Sequence, residues 1–272
     1  MTLPVTSYKR PPVIERVASF YCDMEIEDYE SQFEKWRALV AEEYHHYEPL
    51  KEWLLNVKEE TDEHIPIFDT MEPELRIIPR FSQKSKRDGF DWSIRTPPDC
   101  FTMNMHSRPN QGETRRYPLF RGEISKWLPI WWKNFGVESI KSVVLHYVNG
   151  LSKETVPAFY DEKGNLQLGN LITVFTHIPG RHISLVPPFD CTATVLLDEK
   201  MGALLQLKVA DWSDHQRGAA VRLDFIVTIP PGAQNPSSPE DALILLDWAH
   251  ERVTERFEAI FTEAAKTYFN PE

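Results

Sequence analysis

The sequence predicts an α+β fold: an antiparallel sheet, helices packed on one of its faces, and a long helix at the C-terminal end. Three observations carry this. Strand-length segments with apolar side chains at period two, joined by short polar turns, fill most of the second half. Three other segments repeat their apolar residues every three or four positions, as helices do. Strands and helices do not alternate in the regular way that a parallel sheet requires. The order is strand, helix, three strands, helix, five or more strands, long helix. Its two strand–helix starts point to two similar halves, 13–112 and 113–272, inside one domain of 272 residues.

Residues 1–12 read as an extended arm ending in Pro11 and Pro12. A strand follows over 13–24, with Ile14, Arg16 and Ala18 on one side and Val13, Glu15, Val17 and Ser19 on the other. Asp28 suits the cap of a helix reaching to about Leu50, because Phe33, Trp36, Val40, Tyr44 and Tyr47 share one face. Pro49 interrupts that pattern, and Leu50, Trp53, Leu54 and Val57 allow one further helical piece. Residues 59–73 are acidic and loop-like.

Strands are expected over 75–81, 89–95 and 101–107, separated by the polar turns SQKSKRDG and RTPPDC. After the loop RPNQGETRR, a second amphipathic helix starts at Pro118, bends at Pro129 and stops at Gly136. Further strands are expected over 140–148, 171–178, 191–197, 203–211 and 221–229, with a hairpin connection at 198–202. The chain then ends in one helix, capped by Ser237 or Ser238. Its stripe is Ala242, Leu245, Ala249, Val253, Phe257, Ile260, Ala264 and Tyr268.

Composition narrows the function. An apolar content of 42% with 26% charged residues is that of an ordinary soluble protein. No apolar run is long enough for a membrane span, and the N-terminus lacks the apolar core of a signal peptide. Cys22, Cys100 and Cys191 are odd in number and far apart, which fits a reduced, cytoplasmic protein rather than a disulfide scaffold or zinc module. The net charge of −11 disfavours whole-surface binding to nucleic acid. That charge is segregated: 13–75 holds 18 acidic and 5 basic residues, while 76–133 holds 12 basic and 5 acidic. The simplest reading is that the two blocks lie side by side and neutralise each other.

Four constellations are candidates for chemistry. In EEYHHYE, Glu42 with His45 and Glu43 with His46 share helix faces, and His250 follows Asp247 at the same spacing. Glu42, His45, His46 and His250 are therefore the candidate metal ligands, although a di-metal carboxylate site needs further glutamates. In DWSDH, Asp211, Asp214 and His215 could hold a cation, but such residues more often bond nearby amides in a turn. The basic, aromatic middle offers Arg80, Lys84, Lys86, Arg87, Arg115, Arg116 and Arg121 as anion-binding residues, with Arg115 and Arg116 just ahead of a helix start. Trp127 and Trp131 are four apart and suit core packing, which leaves Trp132 to face a partner or pocket. No G-x-S-x-G, phosphate-binding loop, G-x-G-x-x-G, H-E-x-x-H or C-x-x-C occurs.

Three stretches in order carry a resemblance: Pro11, Pro12, Val13, Ile14 and Glu15 at the start; Tyr147, Val148 and Asn149 in a strand; and Ala249, His250, Glu251, Phe257 and Glu258 in the last helix. Together they resemble a sporadically distributed family of uncharacterised prokaryotic proteins of similar length. The resemblance implies a bacterial or archaeal cytoplasmic protein of the kind encoded by accessory genes such as defence or toxin–antitoxin components, and it brings no catalytic residues. The resulting expectation is a non-enzymatic binding protein without a cofactor, whose partner is another protein or a second copy of itself. The alternatives are nucleic-acid or nucleotide binding through the basic middle, and a metal-dependent enzyme.

Overall fold

In the computed structural model, which describes residues 8, 11–23, 26–55, 73–83, 87, 89–107, 116–173, 190–213, 220–232 and 234–270, a single antiparallel sheet of nine strands runs through the protein. The first half supplies β1 (Val13–Cys22), α1 (Ile26–Ala41), β2 (His46–Leu55), β3 (Pro73–Ser82), β4 (Phe90–Arg95), β5 (Cys100–Ser107) and α2 (Arg116–Phe135). The second supplies β6 (Ile140–Leu151), α3 (Leu168–Leu171), β7 (Asp190–Asp198), β8 (Ala203–Asp211), β9 (Val221–Ile229), α4 (Pro239–Ile260) and α5 (Glu263–Phe269). Across the sheet the order is β2-β3-β4-β5-β1-β6-β9-β8-β7.

The two halves meet at the pair β1 and β6, which are antiparallel with Ala18 opposite Leu145. Each central strand is flanked by the last strand of its own half, β5 or β9, and that strand leads into the helix that roofs it. Helix α2 packs on β5 and α1, helix α4 packs on β6 and β9, and α2 touches α4. Phe20, Phe101, Met103, Leu145, Phe225 and Val227 fill the space beneath these helices and are buried. The opposite face carries Ser93, Asn104, His106, His146, Gln206 and Lys208, so period-two alternation sorts apolar from polar side chains as an antiparallel sheet with one roofed face requires.

The structure departs from the sequence reading at four places. The first helix stops at Ala41, and 46–55 is an edge strand, so Glu43 and His46 do not share a helix face. Pro49 explains this: it breaks a helix but is tolerated at a sheet edge, where it stands opposite Pro79. A bulge between Val13 and Glu15 shifts Ile14 out of phase with Arg16 and Ala18, and Ile14 sits beside Gly150. The expected strand over 171–178 begins instead as α3, and 174–178 lies outside the described residues.

The last helix is the fourth case. It breaks at Phe261 and Thr262, both extended, because Phe261 bridges to Ile172 and the Thr262 N–H donates to the Leu171 carbonyl at 2.9 Å. Thr262 then caps α5 by accepting from the Ala265 N–H. Ser238 caps α4 in the same way, and the break shifts the buried positions from the expected Ala264, which is exposed, and Tyr268, which is half-buried, to Phe261, Ala265 and Phe269.

Candidate functional site

Arg16 is the residue whose charge does not suit the inward position that alternation gives it. It lies on β1 in register with Tyr147 on β6, under the helices, and is only 5% exposed. Its guanidinium carbon sits 5.0 Å from the centre of the Tyr147 ring. Among the described residues Nε and Nη1 have no hydrogen-bond partner, while the guanidinium also bonds the Tyr147 side chain. A buried cation without a carboxylate costs several kcal/mol, which a ring face offsets by about 2.

From Arg16 a chain of contacts runs outward. The Tyr147 hydroxyl lies 3.0 Å from His250 Nδ1 on α4. The His250 ring stacks on Tyr117 of α2, with centroids 3.5 Å apart and planes 16° from parallel. The Tyr117 hydroxyl donates to Asp247 Oδ1 at 2.7 Å, and Arg121 donates to the same carboxylate, with Nη2 3.1 Å from Oδ2. Helical spacing explains the grouping. Tyr117 and Arg121 are one turn apart on α2, Asp247 and His250 one turn apart on α4, and the two helices meet over the seam.

Burial, with the Arg16 charge second, pushes the His250 imidazole down to about 4 and keeps it neutral. Burial first, then the neighbouring Asp247, raises the Tyr117 phenol, and burial also raises Tyr147. With the imidazole neutral and the phenols raised, the cluster ties α2 and α4 to the sheet through hydrogen bonds and ring stacking.

Two further polar groups are internally matched. Glu123 on α2 accepts from the Tyr44 hydroxyl at 2.7 Å, from Trp127 Nε1 at 3.0 Å and from Arg87 Nη2 at 2.5 Å. On the far face Asp224 is 2% exposed; it accepts from Arg222 Nε at 2.8 Å and faces His146 Nε2 at 3.6 Å. Burial would raise its carboxyl, but the His146 and Arg222 bonds prevail and hold it below the usual aspartate value.

Of the residues singled out from the sequence, Arg121 and His250 come together in the seam cluster. Arg80 pairs with Glu48 at 3.5 Å, Arg87 pairs with Glu43 and Glu123, and Lys126 pairs with Glu43, so the acidic and basic blocks meet. Lys84, Lys86 and Arg115 lie outside the described residues, as do Asp214 and His215; Arg116 opens α2. Asp211 accepts from the Ser213 N–H, the turn role expected of it. His45 Nδ1 bonds the Ala41 carbonyl oxygen at 2.8 Å, Glu42 is exposed, and His46 opens β2. Among the described residues, no three His, Cys, Asp or Glu side chains gather as a metal site would need. Trp132, expected to face outward, is 9% exposed and belongs to the core. Arg16 and Tyr117 were missed; an arginine at an inward position of a strand was the available signal.

The sheet's two edges differ. Edge strand β2 carries exposed Pro49 and Lys51, both of which discourage strand addition. Edge strand β7 contains no Pro, Lys or Arg, and among the described residues it pairs with β8 alone. Residues 190–196 are exposed on both faces, with Val195 at 43% and Leu196 at 51%. Among the described residues no helix is long and apolar enough to cross a membrane. Comparison with family models, with curated proteins and with solved structures finds no match to this chain.

Proposed function

We propose that this is a non-enzymatic binding protein that acts through another protein chain docked along β7. The observation that carries the reading is the open edge itself. A nine-residue strand with unguarded, β-branched and apolar side chains offers its outward N–H and C=O groups to one more strand. The cytoplasm and an accessory role of defence or toxin–antitoxin type belong to the same proposal; three free cysteines suit a reducing compartment. Nucleic-acid binding through the middle segment has less support, because Arg80, Arg87 and Arg121 already face carboxylates.

Native mass measurement tests the reading. The wild-type chain forms a complex of defined mass, and Val195→Lys with Leu196→Lys abolishes that complex while leaving the circular dichroism unchanged. A wild-type chain that stays monomeric, or a complex indifferent to the double substitution, overturns the proposal.

A further inference from the structure

Taking β7 as the docking edge, and resting on that reading, we propose that its partner is a second copy of the same strand, antiparallel and centred on Val195. Three features of the strand lead there.

Charge selects both the partner and the register. Between Asp190 and Asp198 the strand holds no charged residue, so two copies can lie side by side without like charges meeting in the middle. A pairing centred on Thr194 would set Asp190 against Asp198 of the other copy at both ends, and Lys208, whose Nζ lies 2.7 Å from Asp190 Oδ2, offsets only one charge of each such pair. A pairing centred one residue later sets Asp190 against Lys200, which is exposed just beyond the strand. It also places Val195 against Val195 and Thr194 against Leu196, cross-strand pairs a sheet favours, on the regular part of the strand before the bulge at Leu197.

Closure favours a second copy over an open-ended array. Edge β2 is guarded and β7 is not. A two-fold pairing therefore joins the two open edges and ends the sheet on a guarded strand at each side, the closed symmetry of most homodimers.

Exposure supplies the driving force. Helix α4 roofs β6 and β9, and β7 lies two strands beyond β6's neighbour with both its faces in solvent. A strand laid alongside covers part of Val195 and Leu196 with its own cross-strand side chains.

An on-axis cysteine reads the register. In a Cys191→Ser background, Val195→Cys places two thiols opposite each other, and directly opposed antiparallel residues have Cα separations of about 4.5–5.5 Å that suit a disulfide. Mild oxidation converts this variant into a linked species of twice the 31.7 kDa chain mass. Cys191→Ser with Thr192→Cys, which faces Asp198 in this register, links poorly. Both sites are exposed strand positions, and circular dichroism confirms that each variant folds. A complex that depends on β7 but does not have twice the chain mass overturns the second copy and leaves the docking reading standing. Linkage at 192 rather than 195 overturns the register. A wild-type monomer overturns both proposals together.

Discussion

The Tyr147 hydroxyl and His250 Nδ1 stand 3.0 Å apart, and this bond ties the central strand of the sheet to the helix that roofs it. Arg16 on one side and the Tyr117 ring on the other complete the environment that keeps the imidazole neutral. A buried cation near a buried histidine has a definite consequence for stability.

His250 drops from 6.5 to about 4 on folding. The unfolded chain takes up the proton near pH 6.5, while the folded chain refuses it until about pH 4. Stability is therefore whole above about 6.5 and drains as pH falls toward 4, by on the order of 3 kcal/mol from this group. His250→Gln is less stable at neutral pH, yet its urea midpoint falls less steeply over that window. Parallel profiles for the two proteins would refute the assignment.

Glu123 satisfies three buried or half-buried donors at once: Tyr44, Trp127 and Arg87. Glu123→Ala strands them and is expected to cost about 3 kcal/mol in denaturant unfolding. Glu123→Gln keeps one acceptor and loses less. A loss below about 1 kcal/mol for alanine would show that water replaces the carboxylate freely.

Gly150 lies under the Trp212 ring. A Cβ there would stand 2.6 Å from Trp212 Cζ3 and 3.3 Å from Ile14 Cδ1. Gly150→Ala is expected to destabilise by about 1–3 kcal/mol and to alter the near-ultraviolet signal. Adding Trp212→Ala relieves the clash, so the double variant loses less than the sum of the two singles. Strict additivity would place the ring elsewhere.

Thr262 holds the junction between α4 and α5, accepting from the Ala265 N–H and donating its hydroxyl to the Asn170 carbonyl at 2.6 Å. Thr262→Ala should cost about 1 kcal/mol, while Thr262→Ser should retain most of the stability. Hydrogen exchange over 263–269 reports it: faster exchange in the alanine variant is expected, and unchanged exchange would mean that packing of Phe269 alone holds α5 in place.

Local rules were enough for much of the architecture. The strands at 140–151, 203–211 and 221–229 were readable because one roofed face imposes period two on each. The start of α4 was readable because Ser238, Pro239, Glu240 and Asp241 act within one turn of chain. The alternation of acidic and basic blocks pointed correctly to neighbours, as Glu43 with Arg87 shows.

Tertiary structure alone decided the rest, because the deciding partner in each case is remote in sequence. Tyr44 and Tyr47 fit a helical face, but β3 draws 46–55 into the sheet by pairing along its whole length. The stripe of the last helix runs on in sequence past Phe261, yet Leu171 and Ile172 take up the backbone there and turn it. Arg16 reads as one charged residue in a strand. Only the register with Tyr147, and the arrival of α4 above it, make it a buried cation that adds to burial in keeping His250 neutral. Period and propensity act over a few residues, whereas burial and electrostatic neighbours are set by which segments the fold brings together.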